Sequence, residues 1–222
     1  MDISTLVVIC ADGDTGYRLT QLARRAEVGV IAVIHSWADP TPYKRIGAEI
    51  AIAEAADRES VAAIFAGRNT EGLGVACMVG GTPVLNSQGN INVIDAATNA
   101  GIRRFLMVTS IGCGDSADAV DPFVKAFVGK ALRAKTWAEK HLQATDLDWT
   151  IIRAGAMMRR PFKGGPILVE SPHVTGYINP TDLGDALFKA LQSPNTTGRI
   201  LAAVDADKAI DTKGEPLVVA KL

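Results

Sequence analysis

The stretch Thr5-Leu6-Val7-Val8-Ile9-Cys10-Ala11-Asp12-Gly13-Asp14-Thr15-Gly16 decides the fold of this chain. Residues 5–10 form a short apolar run that is typical of a buried strand, and the two glycines that follow indicate a tight turn. From residue 16 to about residue 27, apolar side chains recur at the spacing of one buried helix face. The members of that face are Leu19, Leu22, Ala23 and Ala26. The stretch therefore predicts a strand, a glycine-bearing turn and the start of a helix.

The alternation of strand and helix continues through the rest of the chain. Further strands are predicted at 29–34, 49–53, 75–79, 104–109, 149–153 and 199–204. Helices are predicted to begin at Asp57, to run over 88–100 with Gly101 as a left-handed cap, to lie within 122–143, and to begin at Pro180. Because strands joined by crossover helices pair in parallel, we expect an α/β fold, a doubly wound parallel sheet in three layers. Residues 154–178 are predicted to be loop-rich.

Composition limits the class of protein. The 222 residues are 48% apolar and 21% charged, and no linker-like tract divides them, so we expect one domain over 1–222. Lys and Arg number 23 against 24 Asp and Glu, so no net charge favours nucleic acid or an anionic membrane. No apolar run approaches the roughly 20 residues of a membrane span. Three cysteines without a Cys-x-x-Cys pair indicate reduced core thiols, and we expect a cytoplasmic monomer or homodimer that binds a small molecule.

The ends of the predicted strands are where a ligand site is expected, because ligands of parallel α/β sheets bind beyond the carboxyl ends of the strands. The turn before Gly16 offers the free amides of a helix N-terminus, which can hold a pyrophosphate, but such a turn also serves plain packing. At the end of the second strand, His35 and Ser36 stand where a carboxylate would bind a ribose 2′-hydroxyl or an arginine a 2′-phosphate. Neither signature is present, and His35 can equally be an exposed loop residue.

Several motifs in order resemble those of the atypical short-chain dehydrogenases, the group that includes NmrA-like proteins and biliverdin-IXβ or flavin reductases. The family's first turn is Gly-Ala-Thr-Gly-x-Thr-Gly; here Cys10 replaces its first glycine and Asp12 its first threonine. The blocks that match after the turn are Gly89-Asn90-Ile91-Asn92-Val93-Ile94-Asp95-Ala96-Ala97, Val108-Thr109-Ser110-Ile111-Gly112 and Leu147-Asp148-Trp149-Thr150-Ile151-Ile152-Arg153. The resemblance implies a Rossmann-type fold and NADP or NAD as cofactor, with NADP slightly preferred.

The resemblance also implies site residues. Ser110 would face the nicotinamide or the substrate, and Lys135 would be the lysine of the family's Tyr-x-x-x-Lys pattern, although each has an ordinary structural role available as well. Ala131 stands where the tyrosine would be, so the usual phenol acid is missing. The catalytic residues are thus expected to be Ser110 and Lys135. The residues expected to bind the cofactor are Ala11, Gly13, Asp14, Thr15, Gly16, His35, Ser36, Glu54, Ala55, Val79, Gly80, Gly81, Thr109, Ser110, Lys135, Ala154, Gly155, Ala156 and Met157.

The substrate side is expected within about 154–178. Met157, Met158, Pro161 and Phe162 would form an apolar wall suited to a flat conjugated ligand, or would simply close the core. The cations Arg159, Arg160 and Lys163 would attract an anionic ligand or belong to a solvated loop. His141 and His173 are isolated, so no metal is expected.

Two functions remain open from the sequence. One is an NAD(P)H-dependent reductase of a small conjugated acceptor such as a flavin, bilin, quinone or enone, for which solvent can supply the proton. The other is a non-redox protein on the same scaffold, either a nucleotide-sensing regulator or an isomerase or cyclase, which Cys10 and the missing tyrosine favour.

Overall fold

A mostly parallel sheet forms the middle layer of the computed structural model, which describes residues 3–222. The strands are β1 Thr5–Ile9, β2 Gly29–Ile34, β3 Glu49–Ile52, β4 Leu73–Cys77, β5 Arg104–Ser110, β6 Asp148–Ala154, β7 Ala156–Met157, β8 Pro166–Val169, β9 Val174–Thr175, β10 Tyr177–Ile178, β11 Arg199–Asp205 and β12 Ile210–Asp211. Eight of them make one sheet in the order β3-β2-β1-β4-β5-β6-β11-β8. Only β8 runs antiparallel, against β11, and the remaining short strands form two pairs outside this sheet.

Helices cover both faces of the sheet. They are α1 Asp14–Arg25, α2 Thr41–Arg45, α3 Arg58–Ala63, α4 Asn90–Asn99, α5 Pro122–Gln143 and α6 Pro180–Gln192. The buried side chains of α1 and α6 pack in one apolar cluster, and those of α3, α4 and α5 pack in a second cluster on the opposite face. Strand β1 lies between these layers, and Val7 within it is fully buried. A strand covered on both faces is apolar at every position rather than at alternate ones, which explains the run at 6–9.

The strand order places the ligand site. From β1 the chain winds outward through β2 and β3, then returns to the other side of β1 and winds through β4, β5 and β6. The direction of winding therefore reverses between β1 and β4. In doubly wound sheets the crevice at such a reversal, beyond the carboxyl ends of the strands, is the place where ligands bind.

The expected fold is confirmed, as a Rossmann-like α/β domain, and the predicted strands and long helices are present with shifted ends. Asp57 caps α3 by accepting hydrogen bonds from the amides of Glu59 and Ser60, at 3.0 and 3.2 Å. Gly101 ends α4 in the left-handed region, with φ 74°. None of the helices within residues 3–222 is long and apolar enough to cross a membrane.

Two regions differ from the sequence expectation. Residues 154–178 are not only loop, because four short strands lie there, and β8 among them extends the sheet through an antiparallel edge. The apolar run of β8 has only four residues and begins with a proline, so the sequence did not predict it as a strand. The second difference precedes α4, where Leu85–Gly89 forms a π-helical turn. Its extra residue per turn breaks the regular helical spacing, and such turns are frequent beside functional sites.

Candidate active site

A large cavity opens at the carboxyl ends of β1, β4, β5 and β6. Its volume is about 1250 Å³. It extends from the turn between β1 and α1, past Ser110 at the end of β5, to the segment that follows β6. The cavity wall therefore contains both residues that the sequence predicted to bind a nucleotide and residues that it predicted to contact a substrate.

The turn at the nucleotide end has the shape of an anion cradle. Helix α1 begins at Asp14 after Gly13, whose backbone is extended, and no side chain caps the helix. The first amides of a helix have no partner within it, so these amides remain available to an anion. A side-chain carbon on Gly16 would lie 2.7 Å from the Cα of Ala11, whereas one on Gly13 would meet no atom within 4 Å. Gly16 is therefore required for close packing of α1 on β1, and the chain around Gly13 leaves room for a ligand.

Cys10, which replaces the family's first glycine, adopts the left-handed backbone conformation with φ 58°. That conformation is strained for a residue with a side chain and free for glycine, which is the physical reason for glycine in the family pattern. Burial, followed by nearby acidic groups, raises the pKa of the Cys10 thiol to about 12. The thiol is therefore protonated and a poor nucleophile at neutral pH.

Two carboxylates line the cradle, and each has a cationic or ionisable partner from another part of the chain. Asp12 lies 2.6 Å from Nδ1 of His35, and the His35 ring stacks on Trp37 with centroids 5.1 Å apart. Asp14 lies 2.7 Å from Nε of Arg159, measured from Oδ2. Asp12 and Asp14 therefore each contact a side chain from a distant part of the chain.

At the other end of the cavity, Nζ of Lys135 donates a hydrogen bond to Oγ of Ser110 over 2.9 Å. Burial lowers the pKa of Lys135 below its ordinary value of 10.5, an effect that the negative groups nearby only partly oppose. Ala131, one helical turn before Lys135, also lines the cavity. Its small side chain leaves open the space that a tyrosine would fill.

A buried ionic network supports this pair from behind. Glu139, one turn after Lys135 on α5, accepts hydrogen bonds from Nε and Nη2 of Arg153 at 3.1 and 2.8 Å. Thr109 donates to the same carboxylate at 2.6 Å, and Arg153 also pairs with Asp115. The network fixes α5 against the ends of β5 and β6, and so holds Lys135 beside Ser110.

The wall on the substrate side is mainly apolar. Met157 and Tyr177 lie on one side of the cavity, Val124 and Val128 of α5 line it as well, and Ile210 stands at its rim. Phe162 does not line the cavity but stacks on Tyr177, with ring centroids 6.4 Å apart. Cations stand at this end too, namely Arg159 and Lys208. A surface of this kind accommodates a flat apolar molecule with an anionic substituent.

Most of the sequence-predicted site residues lie together in the cavity wall. These are Gly13, Asp14, Thr15, Gly16, His35, Val79, Gly80, Gly81, Thr109, Ser110, Lys135, Ala154, Gly155, Ala156 and Met157. Several of their side chains are already engaged. The Thr15 hydroxyl donates to the Pro180 carbonyl at 2.9 Å and Thr109 donates to Glu139, in addition to the contacts of Asp14, His35, Ser110 and Lys135 given above. Their roles toward a cofactor remain predictions.

Four of the residues predicted to bind the cofactor do not line the cavity, and neither do Met158, Pro161 and Phe162 of the predicted substrate wall. Ala11 is buried beneath the turn, where its carbonyl accepts from the Tyr43 hydroxyl at 2.8 Å. Ala55 is also buried, and Ser36 and Glu54 contact each other beyond the end of β2 through a backbone amide and a carboxylate 3.5 Å apart. Conversely, sequence reasoning did not single out Trp37, Asn86, Tyr177 or Lys208, which lie in loops or short elements without a periodic signal. Among residues 3–222, no cluster of three or more His, Cys, Asp or Glu side chains is arranged to hold a metal.

Comparison with known proteins agrees with this geometry. Residues 11–194 match the profile of a family described as NAD(P)H-binding. YhfK of Bacillus subtilis (strain 168), described as an uncharacterized sugar epimerase, is 26% identical over 209 residues, which are 91% of this chain and 95% of the relative. ChuY of Escherichia coli O157:H7, described as an anaerobilin reductase, is 27% identical with a TM-score of 0.80, over 91% of this chain and 98% of that one.

A third structure extends the comparison at the level of fold. It is a short-chain dehydrogenase/reductase from Veillonella parvula DSM 2008, in complex with NADP, which is 13% identical with a TM-score of 0.73 over 94% of this chain and 97% of that one. Together with the family match, these similarities confirm the resemblance that the ordered motifs indicated.

Proposed function

The chain belongs to the NAD(P)H-binding family whose profile matches residues 11–194, and we propose that it is an NAD(P)H-dependent reductase of a small conjugated acceptor such as a flavin, bilin, quinone or enone. One observation carries the proposal: a single cavity joins the uncapped N-terminus of α1 to Ser110 and Lys135. A dinucleotide laid along it brings its phosphates to the turn and its nicotinamide near Ser110. The similarity to ChuY supports a conjugated acceptor.

The chain's own residues supply binding and proton chemistry. When bound, the nicotinamide supplies hydride equivalents to the acceptor. Ser110 points its hydroxyl at the site where the acceptor gains charge, and it can release its proton there. Lys135, which already donates to Ser110 Oγ, can then restore that proton. Ala131 leaves space for a wide acceptor, and Met157 and the ring of Tyr177 offer apolar surface against which it can pack.

Within this proposal, NADP is preferred over NAD. His35 and Ser36 directly follow strand β2, so the end of this strand offers no carboxylate of its own to bind a ribose 2′-hydroxyl. The His35 ring is held by Asp12 and stacked on Trp37, which fixes the imidazole at the place where the 2′-phosphate of NADP would lie. We expect His35→Gln to weaken the binding of NADPH more than that of NADH in equilibrium titrations. A wild-type preference for NADH that Asp12→Asn abolishes would assign Asp12 to the 2′-hydroxyl instead.

The test of the reductase is turnover with a panel of acceptors. Purified protein is mixed with NADPH or NADH and, in turn, a flavin, biliverdin, a quinone and an enone, and loss of the reduced nicotinamide absorbance is followed. We expect oxidation with at least one acceptor, and loss of that rate in the double variant Ser110→Ala, Lys135→Met. Absence of nucleotide binding at millimolar concentration would overturn the proposal.

A second candidate is a non-redox protein that binds the nucleotide without using it as a reductant. The carboxylate of Asp12 and the strained Cys10 favour this candidate, because each departs from the usual phosphate turn. It predicts tight nucleotide binding with no oxidation by any acceptor. The same titration and turnover experiments therefore decide between the two.

A further inference from the structure

We infer that Arg159 is a cofactor-binding residue that bridges Asp14 and the pyrophosphate. This inference rests on the proposed function, since it assigns a residue to the same nucleotide site. Its starting point is an electrostatic conflict at the cradle: Asp14 is the first residue of α1, and its carboxylate lies where the phosphates of a dinucleotide would also bring negative charge.

The geometry resolves the conflict with one side chain. Arg159 follows the short strand β7 and reaches across the cavity to α1, where its Nε lies 2.7 Å from Oδ2 of Asp14. A guanidinium carries five N–H donors in a planar fork, so an ion pair through Nε leaves the two terminal nitrogens for other acceptors. Asp14 is the first residue of α1, so its ion pair brings the Arg159 guanidinium to the helix end whose amides have no side-chain cap. Arg159 can therefore remain paired with Asp14 and bind phosphate oxygens at the same time.

The neighbouring arginine shows that this placement is particular to Arg159. Arg160 turns away from the cavity and lies over the ring of Phe162, with its Cζ 5.1 Å from the ring centroid. Both guanidiniums are exposed and adjacent in sequence, but only Arg159 lines the cavity. Arg160 is therefore a matched control for the removal of one positive charge from this segment.

The bridge has a consequence for the substrate side. Asp14 belongs to the nucleotide half of the cavity, whereas Arg159 belongs to the segment that carries Met157. A nucleotide that binds Arg159 therefore also fixes the segment that forms the substrate wall. We expect bound NADPH to tighten the binding of the acceptor, because the nucleotide adds a second partner to a guanidinium that Asp14 already holds.

The experiment measures the dissociation constant for NADPH in five proteins, the wild type and four variants, and the displacement of NADPH by inorganic pyrophosphate. Arg159→Met is expected to weaken NADPH about 10-fold to 100-fold, as for the loss of a charged hydrogen-bond partner, and to weaken displacement by pyrophosphate in parallel. Asp14→Asn is expected to tighten NADPH by a few-fold, because it removes like charge. Arg160→Met is expected to leave both quantities unchanged. Asp14→Asn is also made in the Arg159→Met background. There it is expected to increase the affinity for NADPH by a larger factor than it does in the wild type.

The outcomes separate this inference from the proposed function. If wild-type protein binds NADPH and Arg159→Met binds it equally well, or if Arg160→Met loses as much affinity, the bridge is overturned and the reductase proposal stands. If Asp14→Asn weakens NADPH, Asp14 is itself a ligand and the bridge is likewise overturned. If wild-type protein binds no nucleotide at millimolar concentration, both the bridge and the proposed function fail. Thermal unfolding of each variant checks that the fold is retained.

Discussion

Lys135 on α5 and Ser110 at the end of β5 are joined by a hydrogen bond of 2.9 Å inside the cavity. Residues 25 positions apart meet here because the buried Glu139–Arg153 pair holds α5 against the sheet. A lysine ammonium next to a serine hydroxyl forms a short proton-transfer route that ends at the cavity surface. This pair therefore takes the place of the missing tyrosine in the proposed reaction.

Removing either member of the pair is expected to slow the reduction of the acceptor. Ser110→Ala and Lys135→Met should each lower kcat about 100-fold or more, in the range observed for the loss of general-acid catalysis. The measurement is kcat at saturating NADPH with an acceptor that the wild type reduces. Lys130→Met is the control, because Lys130 lies on the same helix but is exposed and outside the cavity. Equal rates for the Lys130 and Lys135 variants would contradict the assignment.

The pH dependence of turnover should follow Lys135. Burial lowers the pKa of Lys135, so the ammonium loses its proton at a lower pH than an exposed lysine does. Because the protonated form supplies the proton, kcat is expected to fall as the pH rises through this lowered pKa. Lys135→Arg should keep the positive charge and move the decrease in kcat to higher pH. An unchanged dependence of kcat on pH in that variant would show that another group titrates.

The strain at Cys10 predicts a stability difference between two substitutions. Glu27 has the same left-handed backbone as Cys10, with φ 62°, but is exposed and outside the cavity. Glu27→Gly should raise the free energy of unfolding by about 1 kcal/mol through relief of strain, as measured in urea. Cys10→Gly relieves the same strain but also removes a partly buried thiol, so we expect a smaller gain in stability.

The same pair of variants tests the nucleotide cradle. Cys10→Gly restores the family's glycine where the backbone passes close to the phosphates, and NADPH is expected to bind more tightly. Glu27→Gly should leave NADPH affinity unchanged. Weaker binding by Cys10→Gly would mean that the Cys10 side chain contributes to the site.

The buried Glu139 is expected to be the most sensitive position in the network. Burial alone would lower the pKa of Arg153, but its hydrogen bonds and charge interactions with Glu139 and Asp115 raise it above the ordinary value. Glu139→Gln leaves this buried cation poorly compensated and should lower the free energy of unfolding by about 3–5 kcal/mol. Asp115→Asn should cost less than about 1 kcal/mol, because the Asp115 side chain is 67% exposed. Similar losses of unfolding free energy in Glu139→Gln and Asp115→Asn would contradict this prediction.

The sequence predicted the site unevenly, for physical reasons that particular residues make clear. Gly13, Gly16, Ser110 and Lys135 could be found because a turn motif or a family block marks them. Tyr177 and Lys208 could not, since they lie in short elements whose position depends on how β11 and its neighbours pack. Ala11 was expected at the cofactor, but its place directly after β1 puts it beneath the turn, where Tyr43 contacts it.

By itself, the sequence determined the alternation of buried strands and amphipathic helices, and with it the parallel sheet and the edge at which a ligand binds. Local spacing carries that information, because burial on one or two faces requires a fixed period of apolar residues. Only the tertiary structure decided which polar side chains meet: Asp14 with Arg159, Asp12 with His35, and Lys135 with Ser110. Such pairs come from distant parts of the chain, and no local pattern specifies a contact that forms only when separate strands end at the same edge of the sheet.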